Sequence, residues 1–174
     1  MLNDKLKEIS SRDPLTHAYN RRYFSECSAK ILSLSKRSNH SICLCMIDID
    51  KFKNINDNYG HSVGDEVIIL LANKLEGYVR SSDIVSRFGG EEFAVLLYNA
   101  SLDDARNIAE KIRMNVGELE LDTSKGKLEF TISIGVSKYY ENKDLNNIEN
   151  TLKRADDALY LAKKNGRNQV AISD

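Results

Sequence analysis

The sequence predicts one α/β domain. Two short, continuous apolar runs, residues 41–49 and 93–98, have the length of buried strands. Three longer stretches, 62–79, 101–117 and 146–164, carry apolar residues at steps of three and four, the period of an amphipathic helix. No internal repeat or linker divides the 174 residues, and that length suits a single domain.

Taken in order, residues 1–11 are polar, with Leu2, Leu6 and Ile9 at helical spacing. The expected organisation is therefore the end of an upstream connecting helix over 1–12, followed by the domain over 13–174. Asp13-Pro14-Leu15-Thr16 reads as a turn and helix start, because proline suits an early helical position. A helix is expected over 20–38, with Tyr23, Phe24, Cys27, Ile31 and Leu34 on one side, and Ser38-Asn39-His40 breaks it. Residues 41–49 fit a strand buried on both faces that ends in acid. The helix over 62–79 turns Val63, Val67, Leu70, Leu71 and Leu75 to one face. After the strand Phe93-Ala94-Val95-Leu96-Leu97-Tyr98, the 101–117 helix carries a stripe of Leu102, Ala105, Ile108, Ala109, Ile112 and Val116. Leu128, Phe130, Ile132, Ile134 and Val136 alternate with polar residues, which predicts one strand with unlike faces. Ile148, Leu152, Ala155, Leu159 and Ala162 mark the last helix, and Gly166 stands where a helix-ending glycine belongs. Gln169-Val170-Ala171-Ile172 is a last short strand.

Bulk properties narrow the function. With 25 basic and 26 acidic side chains the net charge is -1, so there is no general pull toward nucleic acid or an anionic membrane. A phosphate ligand must be held by local groups. No apolar run is long enough to span a bilayer, and Met1-Leu2-Asn3-Asp4-Lys5 lacks a signal-peptide core. A cytoplasmic location is expected, with room for a membrane anchor in a longer parent chain. Three cysteines, Cys27, Cys43 and Cys45, argue against a disulfide framework. Cys43 and Cys45 share a strand face and read as small core side chains in a reducing compartment. His17, His40 and His61 have no ligand spacing, which argues against zinc.

Three segments carry candidate chemistry. Asp48-Ile49-Asp50-Lys51 places two carboxylates on one face at a strand end, where ligands of open sheets gather and where hard oxygen ligands suit Mg²⁺. Alone, the pair is equally a solvated strand end. In Arg87-Phe88-Gly89-Gly90-Glu91-Glu92-Phe93, paired glycines between two strands mark a tight hairpin turn, and glycine also permits close backbone approach to a ligand. Two consecutive acids follow that no hairpin requires, although a charged turn would also account for them. Lys163-Lys164-Asn165-Gly166-Arg167 fits either triphosphate binding or basic residues complementing a helix dipole.

Together these segments resemble the GGDEF family of diguanylate cyclases. The resemblance runs from Asp13-Pro14-Leu15-Thr16 and Asn20-Arg21-Arg22 through Asp48 to Lys53, Asn56-Asp57, Tyr59-Gly60-His61, Gly64-Asp65 and Gly89 to Phe93, ending at Gly166-Arg167-Asn168. It implies a central, mostly antiparallel sheet wrapped by helices, like the palm of polymerases and the class III nucleotidyl cyclases. It also implies condensation of two GTP into cyclic di-GMP. The 3′-hydroxyl of one GTP attacks the α-phosphorus of the other and pyrophosphate leaves. The implied cofactor is Mg²⁺ (or Mn²⁺), as a pair of ions about 4 Å apart. Its implied ligands are Asp48, the Ile49 carbonyl and Glu91, with Glu92 as an essential member of the acidic pair. Guanine recognition falls to Asn56 and Asp65, and aspartate at 65 favours GTP over mixed purine products. Triphosphate contacts fall to Lys163, Arg167 and backbone N–H groups around Lys51 and Phe52. The third motif residue is Glu91 where the family name has aspartate, a change that keeps charge and ligand type.

Arg80-Ser81-Ser82-Asp83 is separated from Gly89 by five residues, the offset that the resemblance implies for the family's inhibitory product site, and Arg87 fits a secondary position there. Read alone, it is a charged helix end. The resemblance further implies a homodimer for catalysis, one GTP per domain, and an upstream sensory domain in the parent chain, with no nucleic-acid partner. Two other readings compete: a non-catalytic GTP- or cyclic-di-GMP-binding regulatory module, and a polymerase-like or mononucleotide cyclase. A degenerate module usually loses an acid of the glycine-acid motif, and this chain keeps both.

Overall fold

The computed structural model describes residues 11–145 and 147–173. The proposed upstream helix over 1–12 therefore lies almost wholly outside the described residues. In chain order the elements are β1 (Tyr19–Asn20), α1 (Arg21–Ser38), β2 (Ile42–Ile49), α2 (Phe52–Tyr59), α3 (His61–Tyr78), β3 (Ile84–Gly89) and β4 (Glu92–Tyr98). There follow α4 (Leu102–Gly117), β5 (Glu120–Thr123), β6 (Gly126–Glu129), β7 (Ile132–Lys138), α5 (Glu141–Asp144), α6 (Glu149–Lys164) and β8 (Val170–Ser173).

Six strands form one mixed sheet in the order β1-β3-β4-β2-β7-β8, and β5 and β6 pair separately. The central pairings β3–β4, β4–β2 and β2–β7 are antiparallel, while the edge pairings β1–β3 and β7–β8 are parallel. This is the palm-like sheet wrapped by helices that the resemblance implies.

Strand period two explains the layering. Every residue of β2 is buried. Cys43, Cys45, Ile47 and Ile49 join one core with Val67, Leu71 and Leu75 of α3 and Ala105, Ala109 and Ile112 of α4. Ile42, Leu44 and Met46 join a second core with Phe24 and Leu32 of α1 and Leu152, Ala155 and Leu159 of α6. Each such Ile or Leu removes apolar surface worth about 2 kcal/mol from water. On β7, a Cβ at Gly135 would lie 2.0 Å from the Ala155 carbonyl oxygen and 2.2 Å from the Leu159 nitrogen. Glycine there lets α6 lie directly on the sheet, which sets where the last turn of α6 meets the end of β2.

The structure corrects several expectations. Asp13-Pro14-Leu15-Thr16 is a turn with no helix start. The Asp13 carboxylate accepts from the Thr16 N–H (3.0 Å) and hydroxyl (2.8 Å), and α1 begins only where Asn20 caps the Tyr23 N–H (2.9 Å). The buried stripe of α1 is Phe24, Ser28, Leu32 and Ser35, so Leu34 faces outward at 48% exposure. The single strand expected over 128–136 is two strands: β6 belongs to a separate hairpin and β7 starts at Ile132. The short helices α2 and α5 and the strands β1 and β5 were not expected as elements, and α6 starts at Glu149 rather than 146.

Candidate active site

The end of β2 meets the β3–β4 hairpin. Asp48 stands directly opposite Glu92 on β4 and opposite Ser133 on β7, so strand pairing alone brings Asp48 and Glu92 to one face. Gly89 pairs with Glu92, which leaves Gly90 and Glu91 as the two-residue tip. Gly90 has φ +52°, a left-handed conformation that glycine adopts without a Cβ penalty. The tip is also tied from inside. Arg87 donates to the Gly90 carbonyl through Nε (3.0 Å) and Nη2 (2.8 Å), and through Nη1 to the Asp13 carboxylate (3.0 Å).

Asp48 is almost fully buried, and its Oδ2 lies 2.7 Å from the Lys163 ammonium of α6. Burial pushes its carboxyl up to about 6, Lys163 pulls it down, and the charges of Glu91 and Glu92 push it up again. Three carboxylates facing one ammonium leave the sheet end with excess negative charge, which suits a divalent cation. Among the described residues no three His, Cys, Asp or Glu side chains form a complete cage. Mg²⁺ does not need one, since it binds through one or two carboxylates, keeps waters and takes phosphate oxygens. Asp48 and Glu91 fit that pattern. Ile49 buries its side chain in the core, so only its backbone carbonyl is available to the site.

The second acid of the pair has a different occupation. Asp50 accepts from the Thr131 hydroxyl (2.7 Å), the Ser133 hydroxyl (2.6 Å) and the Asn168 N–H (2.9 Å). Both of its oxygens are taken.

Asn56 on α2 lies against α3. Its Oδ1 is buried and has no hydrogen-bond partner among the described residues. Such an oxygen is costly unless a donor arrives. Gly64 makes room for it, since a Cβ there would lie 2.0 Å from Oδ1. Asp65, the next residue, is exposed. Lys51 adopts φ +53° immediately before α2, so that helix opens with amide groups free of a side-chain cap from Lys51. Arg167 is exposed in the loop after α6, one turn beyond Lys163. Lys51, Asn54, Arg167 and Asn168 line a cavity of about 410 Å³ between α2 and that loop.

Arg80-Ser81-Ser82-Asp83 is a turn following α3 rather than a helix end. The Asp83 carboxylate accepts from the Arg80 N–H (2.8 Å) and the Tyr98 N–H (3.0 Å). Arg80 and Asp83 line a cavity of about 300 Å³ with Tyr98, Asp104 and Lys111, and Arg87 is not part of that lining. The roles of Asp13 and Gly64 in supporting the hairpin and Asn56 were not read from the sequence. Both lie inside motifs already quoted, but only the fold shows what they touch.

The diguanylate cyclase, GGDEF domain family matches residues 10–169 of the chain. The chain belongs to this family. This GGDEF domain is 41% identical over 174 residues to Diguanylate cyclase A of Treponema denticola, covering 98% of the chain and 46% of that protein. It thus spans about half the length of that curated relative. Among solved structures, it resembles the coiled coil and GGDEF domain of DgcB from Caulobacter crescentus in complex with c-di-GMP, with TM-score 0.92 and 27% identity over 99% of this chain and 90% of that one. It also resembles the active GGEEF domain of a diguanylate cyclase from Vibrio cholerae, with TM-score 0.82 and 34% identity over 89% of this chain and 97% of that one. That domain is of the GGEEF type, and this GGDEF domain has the same glutamate variant at Glu91.

Proposed function

We infer that this chain is the catalytic domain of a diguanylate cyclase, which condenses two GTP into cyclic di-GMP and releases pyrophosphate. The observation that carries the reading is the convergence of Asp48, Glu91 and Glu92 beside Lys163 at the end of the sheet. Asp48, Glu91 and the Ile49 carbonyl would hold Mg²⁺ (or Mn²⁺), which when bound supplies Lewis-acid activation of the 3′-hydroxyl and neutralises phosphate charge. The chain's own groups do the rest. Asn56 and Asp65 read the guanine edge, whose N–H donors suit the unpartnered Asn56 oxygen and the Asp65 carboxylate. Lys163, Arg167 and the amide groups at Lys51 and Phe52 orient the triphosphate, and Arg167 can do so with a two-pronged fork. Two bonds form, each from the 3′-oxygen of one nucleotide to the α-phosphorus of the other, and two break, so that two pyrophosphates depart and the two 3′-hydroxyl protons pass to solvent.

Each domain holds one GTP, so the working unit is a homodimer with the two sites face to face. Arg80 and Asp83 form the site through which cyclic di-GMP inhibits its own synthesis, with Arg87 assisting through guanidinium donors not engaged by Gly90 and Asp13. The domain works in the cytoplasm, beneath a sensory domain upstream in its parent chain. Among the described residues no helix is long and apolar enough to cross a membrane.

Incubation with GTP and Mg²⁺ across protein concentrations, followed by mass analysis, tests the reading. Cyclic di-GMP should form, and its specific rate should rise with protein concentration. Binding of GTP with no turnover would assign the chain instead to the non-catalytic regulatory class. Formation of a cyclic mononucleotide would assign it to the mononucleotide cyclases.

A further inference from the structure

The loop that carries Arg167 is held in a demanding backbone conformation. After α6 ends, Gly166, Arg167 and Asn168 all have positive φ, at +119°, +66° and +44°. Glycine takes such values freely, but for arginine and asparagine they cost conformational energy and persist only where the surroundings impose them. Part of the constraint is the helix end, where the Arg167 N–H reaches back to the Ala162 carbonyl (3.0 Å). The rest comes from outside. The Asn168 N–H donates to Asp50 Oδ2 (2.9 Å), and Arg113 of α4 holds the Asn168 side-chain oxygen (2.8 Å). Asp50 is 7% exposed, and no cation pairs with it among the described residues. Its partners are the two hydroxyls of Thr131 and Ser133 and this one amide.

A buried carboxylate satisfied only by neutral donors needs a reason to be there, because burying charge without a partner is unfavourable. We propose that Asp50 is a positioning residue for the phosphate-binding loop: it clamps the Asn168 amide and so aims Arg167 at the substrate triphosphate. This rests on the phosphate role of Arg167 given above. Asp50 lines the same cavity as Arg167, but both of its oxygens are engaged by Thr131, Ser133 and Asn168, so its part is to hold the loop.

The chemistry of the clamp makes a sharp distinction between two substitutions. In Asp50→Asn, the amide oxygen can take the place of Oδ2 and keep both the Asn168 N–H and the Thr131 hydroxyl. The new NH₂ then donates to the Ser133 oxygen, since a hydroxyl both gives and accepts. In Asp50→Ala no acceptor remains. A metal-binding or electrostatic role would make both variants equally poor.

The test measures GTP turnover and backbone amide exchange for the parent, D50N, D50A, R167A and the double variant D50A/R167A. D50N should keep the parental KM within about threefold. D50A should raise KM about tenfold, the weight of one charge-assisted hydrogen bond, with kcat changed much less and with faster exchange at the Asn168 amide. D50A/R167A should be no worse than R167A alone, because both act through one guanidinium. If D50A does not fold, Arg113→Ala loosens the same loop from the surface and should raise KM about threefold. Equal damage in D50N and D50A, additive effects in the double variant, or an unchanged Asn168 amide would overturn the proposal. A parental KM in R167A, by contrast, would remove the phosphate role of Arg167 and with it the function reading at that residue.

Discussion

Replacing Gly64 by alanine separates base recognition from folding. Gly64 is in the first turns of α3, where alanine is intrinsically better than glycine by about 1 kcal/mol. The added methyl would sit 2.0 Å from Asn56 Oδ1, 3.1 Å from its Cγ and 3.2 Å from Phe52 Cζ. The first of these is the end of a side chain that can rotate, so the fold can accommodate the change by moving Asn56 off its present rotamer at a cost of about 1 kcal/mol. Gain and cost nearly cancel, and the melting temperature should move by no more than about 4 °C. Recognition does not cancel. The displaced oxygen can no longer accept from guanine, and losing a hydrogen bond from a buried site costs about 1–2 kcal/mol. That corresponds to a KM for GTP raised roughly 5- to 30-fold, with reduced preference for GTP over ATP. Thermal unfolding and GTP titration with a non-hydrolysable analogue measure the two effects separately. In an Asn56→Ala background the same substitution should add almost nothing. If it weakened GTP binding there by the same factor, Asn56 would not be the base-reading group, and a large loss of stability would mean the contact belongs to the core.

Other outcomes follow from the same geometry. Asp48→Ala or Glu92→Ala should abolish product while the domain still unfolds cooperatively, and activity near the parental level in either would sink the acidic-site assignment. Because the Asp48 carboxyl is raised to about 6, protons and Mg²⁺ compete for it, so the Mg²⁺ needed for half-maximal turnover should rise as pH falls from 7.5 through about 6. The buried Asp144 carboxylate receives a fork from Arg154 at 2.7 and 2.8 Å. Its burial alone would raise its pKa, but the bonds from Arg154 and the Tyr140 N–H bring it below 3.8, so its stabilising effect is complete above that value and lost as pH falls through the lower folded value. Arg154→Ala leaves that charge buried and should cost about 3 kcal/mol in denaturant unfolding at neutral pH. Arg80→Ala should weaken cyclic di-GMP binding in calorimetry and relieve product inhibition; inhibition as strong as in the parent would return the motif to a plain turn.

Periodicity made the larger elements readable. The helices α3, α4 and α6 bury almost the stripes their spacing marks, because each must cover one face of a sheet whose central strand is apolar throughout. The α2 helix has no such stripe; only Ile55 is buried, and the segment is held by its packing on α3 rather than by its own pattern. The β6–β7 boundary was invisible for a related reason. Leu128, Phe130, Ile132, Ile134 and Val136 all enter the same core, so their alternation stays in phase even though the chain changes partners between Glu129 and Ile132.

The split between Asp48 and Asp50 shows where a motif stops being informative. Two residues apart, of one type and on one strand end, they are indistinguishable as sequence. What separates them is which donors the neighbouring elements present. Opposite Asp48 stand Glu92 and, from α6, Lys163, so its charge is crowded by acids and balanced by one lysine ammonium on a long side chain, which another cation could replace. Around Asp50 stand Thr131, Ser133 and the Asn168 amide, which engage both carboxylate oxygens with donors fixed to the sheet end and the loop. The first environment suits a ligand that comes and goes, and the second suits a permanent joint. Since the donors are contributed by residues 81 to 118 positions away in the chain, the distinction is a property of the sheet and not of the motif. The same logic bears on the left-handed backbone of the Arg167 loop: the joint at Asp50 is made within the folded domain itself, so under the role proposed for Arg167 the arginine is aimed before a triphosphate enters.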